Sequence, residues 1–342
     1  MVAEPSAKEQ AWVVFDRIVA DAAPGGVHTN PWIIDTDGSV RYGPDYDTLS
    51  LLLGVPLHIG AATRTGVPAL ALDVWLSYEL RRAGFDHDAA WPRPTHPRIL
   101  PLPISNLLKA LPARDRQALD TRLAKTSAVP GVTSASASIL GKNYLKQVDV
   151  IMTDWATGPE LLISTKRMDS SYGKNAANRV EESYGDAKNL RLRHPLAALG
   201  FVFGLRSDIL TKEPDTAEWL IDLLGKLGRE DDAYHATCLI MIEYDDAVAT
   251  VAEDEEDPEN PLVAARLAED PDANEKPIEA ASSEIDQALA SLPPVRIRHD
   301  TMPTALTPAR FLAEMVTRVL DATPVNLHKE ARRRLRTPAV PE

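Results

Sequence analysis

Cysteine occurs once in the 342 residues, at Cys238. A single thiol excludes an intrachain disulfide and any cysteine-based zinc cage, and it fits a reducing compartment. Long apolar runs are also missing. Nothing approaches the roughly 18 consecutive apolar residues of a membrane span. The N-terminus, MVAEPSAKEQAWVVFDRIVADA, has no basic start ahead of an apolar stretch, so no secretory signal is expected. These absences lead to the expectation of a cytoplasmic globular protein with no membrane partner. Basic charge is in short supply, with 37 Lys and Arg against 50 Asp and Glu and a net charge of −13. The shortage is local, however. Residues 243–286 hold 16 acidic residues and two basic ones, Arg266 and Lys276, leaving 34 acids against 35 bases elsewhere. The low overall charge therefore does not exclude a nucleic-acid partner.

What is present divides the chain into four stretches. Residues 1–110 read as a mainly helical N-terminal region. It contains an amphipathic helix over 7–22 and a second over Val67 to Ala83, with Pro68 near its start and Gly84 just past its end. Residues 111–244 read as the core. Its strands are expected near 148–152, 161–168, 196–205 and 235–244, separated in turn by a turn, a helix over about 175–192 and a helix over Thr216 to Leu227. That order implies a mixed α/β sheet that begins with an antiparallel pair and continues through helical crossovers. Residues 245–292 read as an acidic, flexible insertion, with an anion mimic in a nucleic-acid cleft as the sharper alternative. Residues 293–342 supply a last strand, an amphipathic helix over Thr307 to Ala322 and a basic tail, HKEARRRLR. The arginines of the tail suit either phosphate contacts or a basic helix end.

The chemistry concentrates between Val148 and Arg206. Asp149 lies in the first strand of the core. Ser164 and Lys166 are two apart in the second, so they share a face. On the following helix, a stripe of Ala176, Ala177, Val180, Tyr184, Ala187 and Leu190 puts Glu181 at its edge, facing the strand ends, and turns Glu182 to water. Two carboxylates and a lysine at a sheet edge suit phosphodiester hydrolysis. Mg²⁺ takes hard oxygen ligands, and a lysine neutralises charge on phosphate and orients water. Lys174, Asn175, Asn178 and Arg179, between strand and helix, are candidates for contacts to DNA.

Asp149 followed by Ser164-Thr165-Lys166 resembles the PD-(D/E)xK, restriction-endonuclease-like nuclease superfamily over roughly residues 140–206. Val148 stands where the motif has proline, and Ser164 where it has an acid. Ser-x-Lys with Asn178-Arg179-Val180-Glu181 is similar to a branch of type II restriction endonucleases that moves its metal-binding glutamate onto the next helix. The resemblance implies a restriction-endonuclease-like mixed sheet flanked by helices. It implies Mg²⁺ held by Asp149 and Glu181, with Lys166 at the water, and a homodimer or higher homo-oligomer cutting double-stranded DNA in a defence setting, possessing or lacking a cognate methyltransferase. It also places Asp73, or alternatively Glu79, on the preceding helix near the metal. The rivals are a low-specificity defence or repair nuclease and an inactive DNA-binding or scaffold relative.

Overall fold

The computed structural model describes residues 5–125, 137–229, 233–248 and 280–339. The central acidic stretch and the Ser/Gly-rich connector ahead of the core lie outside the described residues. In chain order the elements begin with helix α1 (Ala7–Ala22), the hairpin β1 (Trp32–Ile34) and β2 (Val40–Tyr42), helices α2 (Tyr46–His58) and α3 (Val67–Arg82), strand β3 (Ala90–Trp91), and helices α4 (Leu102–Ala110) and α5 (Ala113–Lys125). The core follows as β4 (Ala137–Leu140), β5 (Leu145–Val148), β6 (Val150–Asp154), β7 (Gly158–Met168), α6 (Tyr172–Arg191), β8 (Ala198–Arg206), α7 (Ile209–Lys212), α8 (Pro214–Leu227) and β9 (Ala236–Glu243). The chain closes with α9 (Ser282–Ala290), β10 (Arg296–Ile297), α10 (Pro308–Ala322) and α11 (Lys329–Arg336).

The architecture is a mixed α/β sheet flanked by helices. Six strands pair in the order β10-β9-β8-β7-β6-β3. β6 and β7 are antiparallel and joined by a short turn, while β7, β8 and β9 run parallel, linked by α6 and then by α7 and α8. The short edge strands β3 and β10 are antiparallel to their neighbours. β8 is buried along its whole length, as expected of a strand covered on both faces. α1, α2, α3 and α10 cover one face, and α6 and α8 cover the other. One hydrophobic cluster runs from Ala11 to Ala331, so the N-terminal helices share the core of the sheet. No helix among the described residues is long and apolar enough to cross a membrane.

Two features depart from the periodicity. α2 is not evident in the sequence because Gly54 and Pro56 interrupt it. Asp45 caps its start by accepting from the Thr48 amide at 2.9 Å, and Leu49, Leu52 and Leu53 are fully buried. α3, outwardly amphipathic, is buried nearly all round between α1, α2 and the sheet, and with it Asp73, Ser77, Glu79, Arg81 and Arg82. Buried charge requires partners, and they are present. Glu79 receives Arg82 at 2.8 Å, the Tyr42 hydroxyl at 3.0 Å and the Asp45 amide at 2.7 Å. The Arg81 guanidinium donates to the carbonyls of His87, Ala90 and Pro92.

The ends of the acidic segment are held by arginines: Glu243 by Arg298, Asp246 by Arg206 and Asp286 by Arg17. The basic tail is largely committed inside the fold. Arg332 donates to the carbonyls of Leu320 and Thr323 at the end of α10, and Arg334 donates to the Arg82 carbonyl. Gly84 (φ +100°) lets α11 approach, since a Cβ there would lie 2.9 Å from the Ala331 backbone. Of the two readings of the tail, the structural one therefore accounts for Arg332 and Arg334.

Candidate active site

Asp149 is not inside a strand. It interrupts the expected strand 148–152, so that β5 pairs with β4 while β6 pairs with β7. At this break β6 cannot serve the next amide of β7, and the Asp149 carboxylate does so instead, accepting from the Thr165 N–H at 2.7 Å. Because ladder N–H groups lie in the plane of the sheet, this places the Asp149 carboxylate in that plane, in the gap where β6 begins.

β7 presents its next residues to opposite faces. Thr165 points toward α3, where its hydroxyl donates to Asp73 Oδ1 at 2.5 Å. Ser164 and Lys166 point to the other face, in register with Phe201 and Phe203 of β8. There Asp149, Ser164 and Lys166 line a cavity of about 10 Å³ together with Lys146, Asp186 and Tyr234. That volume is near the minimum for one water molecule. The Ser164 hydroxyl is buried in it and, though close to the Tyr234 phenol, makes no hydrogen bond of proper geometry. Tyr234 stacks on Phe201 with ring centroids 5.2 Å apart and donates to the Ser183 carbonyl at 2.8 Å. Its phenol is pushed well above the usual range, by burial first and then by the charges of Asp186 and Asp149.

Asp73 is 8% exposed. Its carboxyl is raised well above the usual carboxylate range, chiefly by burial and next by the Asp149 charge, against the Thr165 hydrogen bond and the more distant Lys8 and Lys166. Glu79, the alternative to Asp73, is about 1.7 turns further along α3 and bound to Arg82. It anchors the N-terminal region and takes no part in this site.

The structure does not bring Glu181 to this cavity. Glu181 is exposed, whereas Glu182 is half-buried and lies 3.8 Å from Arg179. The residues of α6 that pack inward are Tyr172, Ala176, Val180, Ser183, Asp186, Ala187, Asn189 and Leu190. At ~100° per residue, Glu181 lies roughly 160° from the centre of that face. The sequence stripe included Ala177 and Tyr184, which are exposed, and omitted Ser183 and Asp186, which are buried. The carboxylate that α6 turns to the cavity is Asp186, which binds Lys146 at 2.7 Å and accepts from the Tyr144 hydroxyl at 3.1 Å. Sequence reasoning missed it because a polar residue was assigned to the solvent face by type. Its spacing of three and four residues from Ser183 and Leu190 was the available signal.

Among the described residues, no three His, Cys, Asp or Glu side chains gather into a ready-made metal cage. Mg²⁺ commonly takes only one or two protein carboxylates and keeps several waters. Asp149 and Asp186, with the partnerless Ser164 hydroxyl between β7 and α6, form an all-oxygen donor set beside an ion-sized space. These residues fit a hard divalent cation. Of the proposed DNA contacts, Lys174 and Asn178 are exposed and Asn175 and Arg179 half-buried, all on the first two turns of α6. His194 Nε2 donates to the Leu140 carbonyl, 2.9 Å away, and Cys238 is a core residue whose thiol is pushed up by burial. No protein-family model matches the chain, and no curated protein and no solved structure is significantly similar to it.

Proposed function

We propose that the chain is a Mg²⁺-dependent endodeoxyribonuclease with a restriction-endonuclease-like core, acting on double-stranded DNA. The observation that carries this reading is the break at Asp149. It places a carboxylate against Thr165, so that Asp149, Ser164, Lys166 and Asp186 share one ion-sized space. Asp149 and Asp186 would hold the ion, with Asp186 in the place first assigned to Glu181. When bound, Mg²⁺ would supply an acidified water and charge stabilisation at the scissile phosphate.

The remaining work belongs to side chains of this protein. Lys166, half-buried on the same face as Ser164, neutralises charge building on the phosphate and orients the attacking water. Lys146 holds Asp186, and Thr165 fixes Asp149 through its amide and Asp73 through its hydroxyl. Asp73 approaches from the opposite face, and a cation bound beside Asp149 would favour its ionised form against the burial that raises it. Lys174, Asn175, Asn178 and Arg179 then serve as DNA contacts at the start of α6. Sequence-specific cutting of both strands by a homodimer, with or without a partner methyltransferase, is the finer form of the proposal.

One observation favours a second reading, an inactive DNA-binding relative: position 164 carries no carboxylate, and Asp186 is already paired with Lys146. Incubation of supercoiled plasmid with Mg²⁺, wild type beside Lys166→Ala, separates the two. The nuclease reading expects cleavage by wild type and at least a hundredfold less by the variant, the loss of one charge-stabilising group. Discrete fragments indicate sequence specificity, whereas a smear indicates general degradation. DNA binding without cleavage under any divalent cation establishes the second reading.

A further inference from the structure

A second cleft lies away from the Asp149 cavity, at the N-terminal end of β9 between the end of α8 and the first half of α10. Its volume is about 220 Å³, enough for a molecule well beyond a single ion. Arg229, Arg310 and Arg318 line it, with Glu314 as the one carboxylate. Glu314 is committed to Arg318 at 2.5 Å. The guanidinium groups of Arg229 and Arg310 have no hydrogen-bond or ion-pair partner among the described residues. Three arginines against one carboxylate leave a positive surplus in a concave site.

His235 also lines the cleft. Its Nδ1 accepts from the Leu199 amide at 2.9 Å, so a neutral ring carries its proton on Nε2. Nε2 faces Arg191 Nη1 at 2.6 Å, and a donor there meets a donor. Ala236, Leu306 and Phe311 give the cleft its apolar lining, while a Cβ added at Gly225 would meet nothing within 4 Å.

We propose that this cleft binds a small phosphate monoester of about mononucleotide size. Its phosphate would be gripped by Arg229, Arg310 and Arg318, and its organic part laid against Leu306 and Phe311. Forked guanidiniums match phosphate oxygens two at a time. The combination of a charged rim with an apolar lining distinguishes this cleft from a surface that only tracks a DNA backbone. Glu230, Asp231 and Asp232 follow Arg229 in the chain and lie outside the described residues, so the test must exclude neutralisation of the site by them. The proposal is independent of the nuclease reading.

Calorimetric titration of the full chain in metal-free buffer tests it with three probes: inorganic phosphate, adenosine monophosphate and a short DNA duplex. Saturable binding of the mononucleotide is expected, with phosphate competing. Binding should weaken at least tenfold in Arg229→Ala/Arg310→Ala, and strengthen in Glu314→Gln, which releases Arg318. Both substituted arginines are exposed, so the melting temperature should not move; Arg310→Gln alone provides a milder variant if it does. Duplex affinity should be unchanged by the double variant. The proposal is overturned if neither phosphate nor mononucleotide binds saturably up to roughly 10 mM. It is equally overturned if affinity survives the arginine substitutions, or if those substitutions weaken only the duplex, which would assign the arginines to backbone phosphates.

Discussion

Replacing Asp73 by asparagine separates a strained functional carboxylate from a structural anchor. Asp73 and Asp149 are each one hydrogen bond from Thr165, at 2.5 and 2.7 Å. That connection puts the two carboxylates on the order of 5–6 Å apart, where unit charges at an effective dielectric of about 20 repel by about 3 kcal/mol. Burial at 8% exposure adds a desolvation penalty to any ionised form. Asparagine keeps the shape and an oxygen to accept from the Thr165 hydroxyl, while removing the charge. The expected result is a stability gain of about 1–3 kcal/mol, seen as a rise of a few degrees in Tm. Plasmid cleavage should fall in parallel, because asparagine cannot take the ionised form that a cation bound beside Asp149 would favour. Thermal unfolding without divalent ions and cleavage assays with Mg²⁺ read the two quantities separately. A loss of stability of about 1 kcal/mol or more would refute the reasoning and make Asp73 an ordinary hydrogen-bonded core residue.

Glu181→Ala should leave stability within about 0.5 kcal/mol of wild type and cleavage unchanged, since the side chain is exposed. Asp186→Asn should abolish the thermal shift produced by Mg²⁺; at ten times the dissociation constant that shift corresponds to about 1.4 kcal/mol in wild type. Arg82→Ala strands the fully buried Glu79 and should cost about 3–5 kcal/mol by urea unfolding, with Glu79→Ala/Arg82→Ala recovering part of it. His28 and His235 are each pushed down to about 4, mainly by burial and then by neighbouring arginines. Unfolding raises them to the ordinary histidine range, so the unfolded chain binds more protons between pH 6.5 and 4. Their contribution to stability is therefore complete above about pH 6.5 and is lost as pH falls toward 4, a slope that His235→Asn should reduce in pH-dependent melts.

The succession of the four central strands along the chain, the antiparallel start and the crossovers were legible in the sequence. Four apolar runs at strand length alternate with helical stretches, and few sheets satisfy that order. The pairing of Ser164 with Lys166 on one face followed from the two-residue period of a strand. That Asp149 and Lys166 come close enough to line one cavity was legible, because a tight turn joins the two segments that carry them. The helix carboxylate was not. A stripe counted by residue type turned α6 toward Glu181, whereas tertiary packing buried Ser183 and Asp186 and rotated Glu181 to solvent. The break at Asp149 was equally hidden, because it exists only where β5 leaves for β4 and an amide of β7 needs another acceptor. Asp73 could be placed on a helix by its sequence, but its charge conflict with Asp149 arises from two segments 76 residues apart meeting at Thr165. Local periodicity thus determined the elements and the faces of the strands. Burial of polar groups from distant segments, which periodicity cannot express, decided which carboxylates meet.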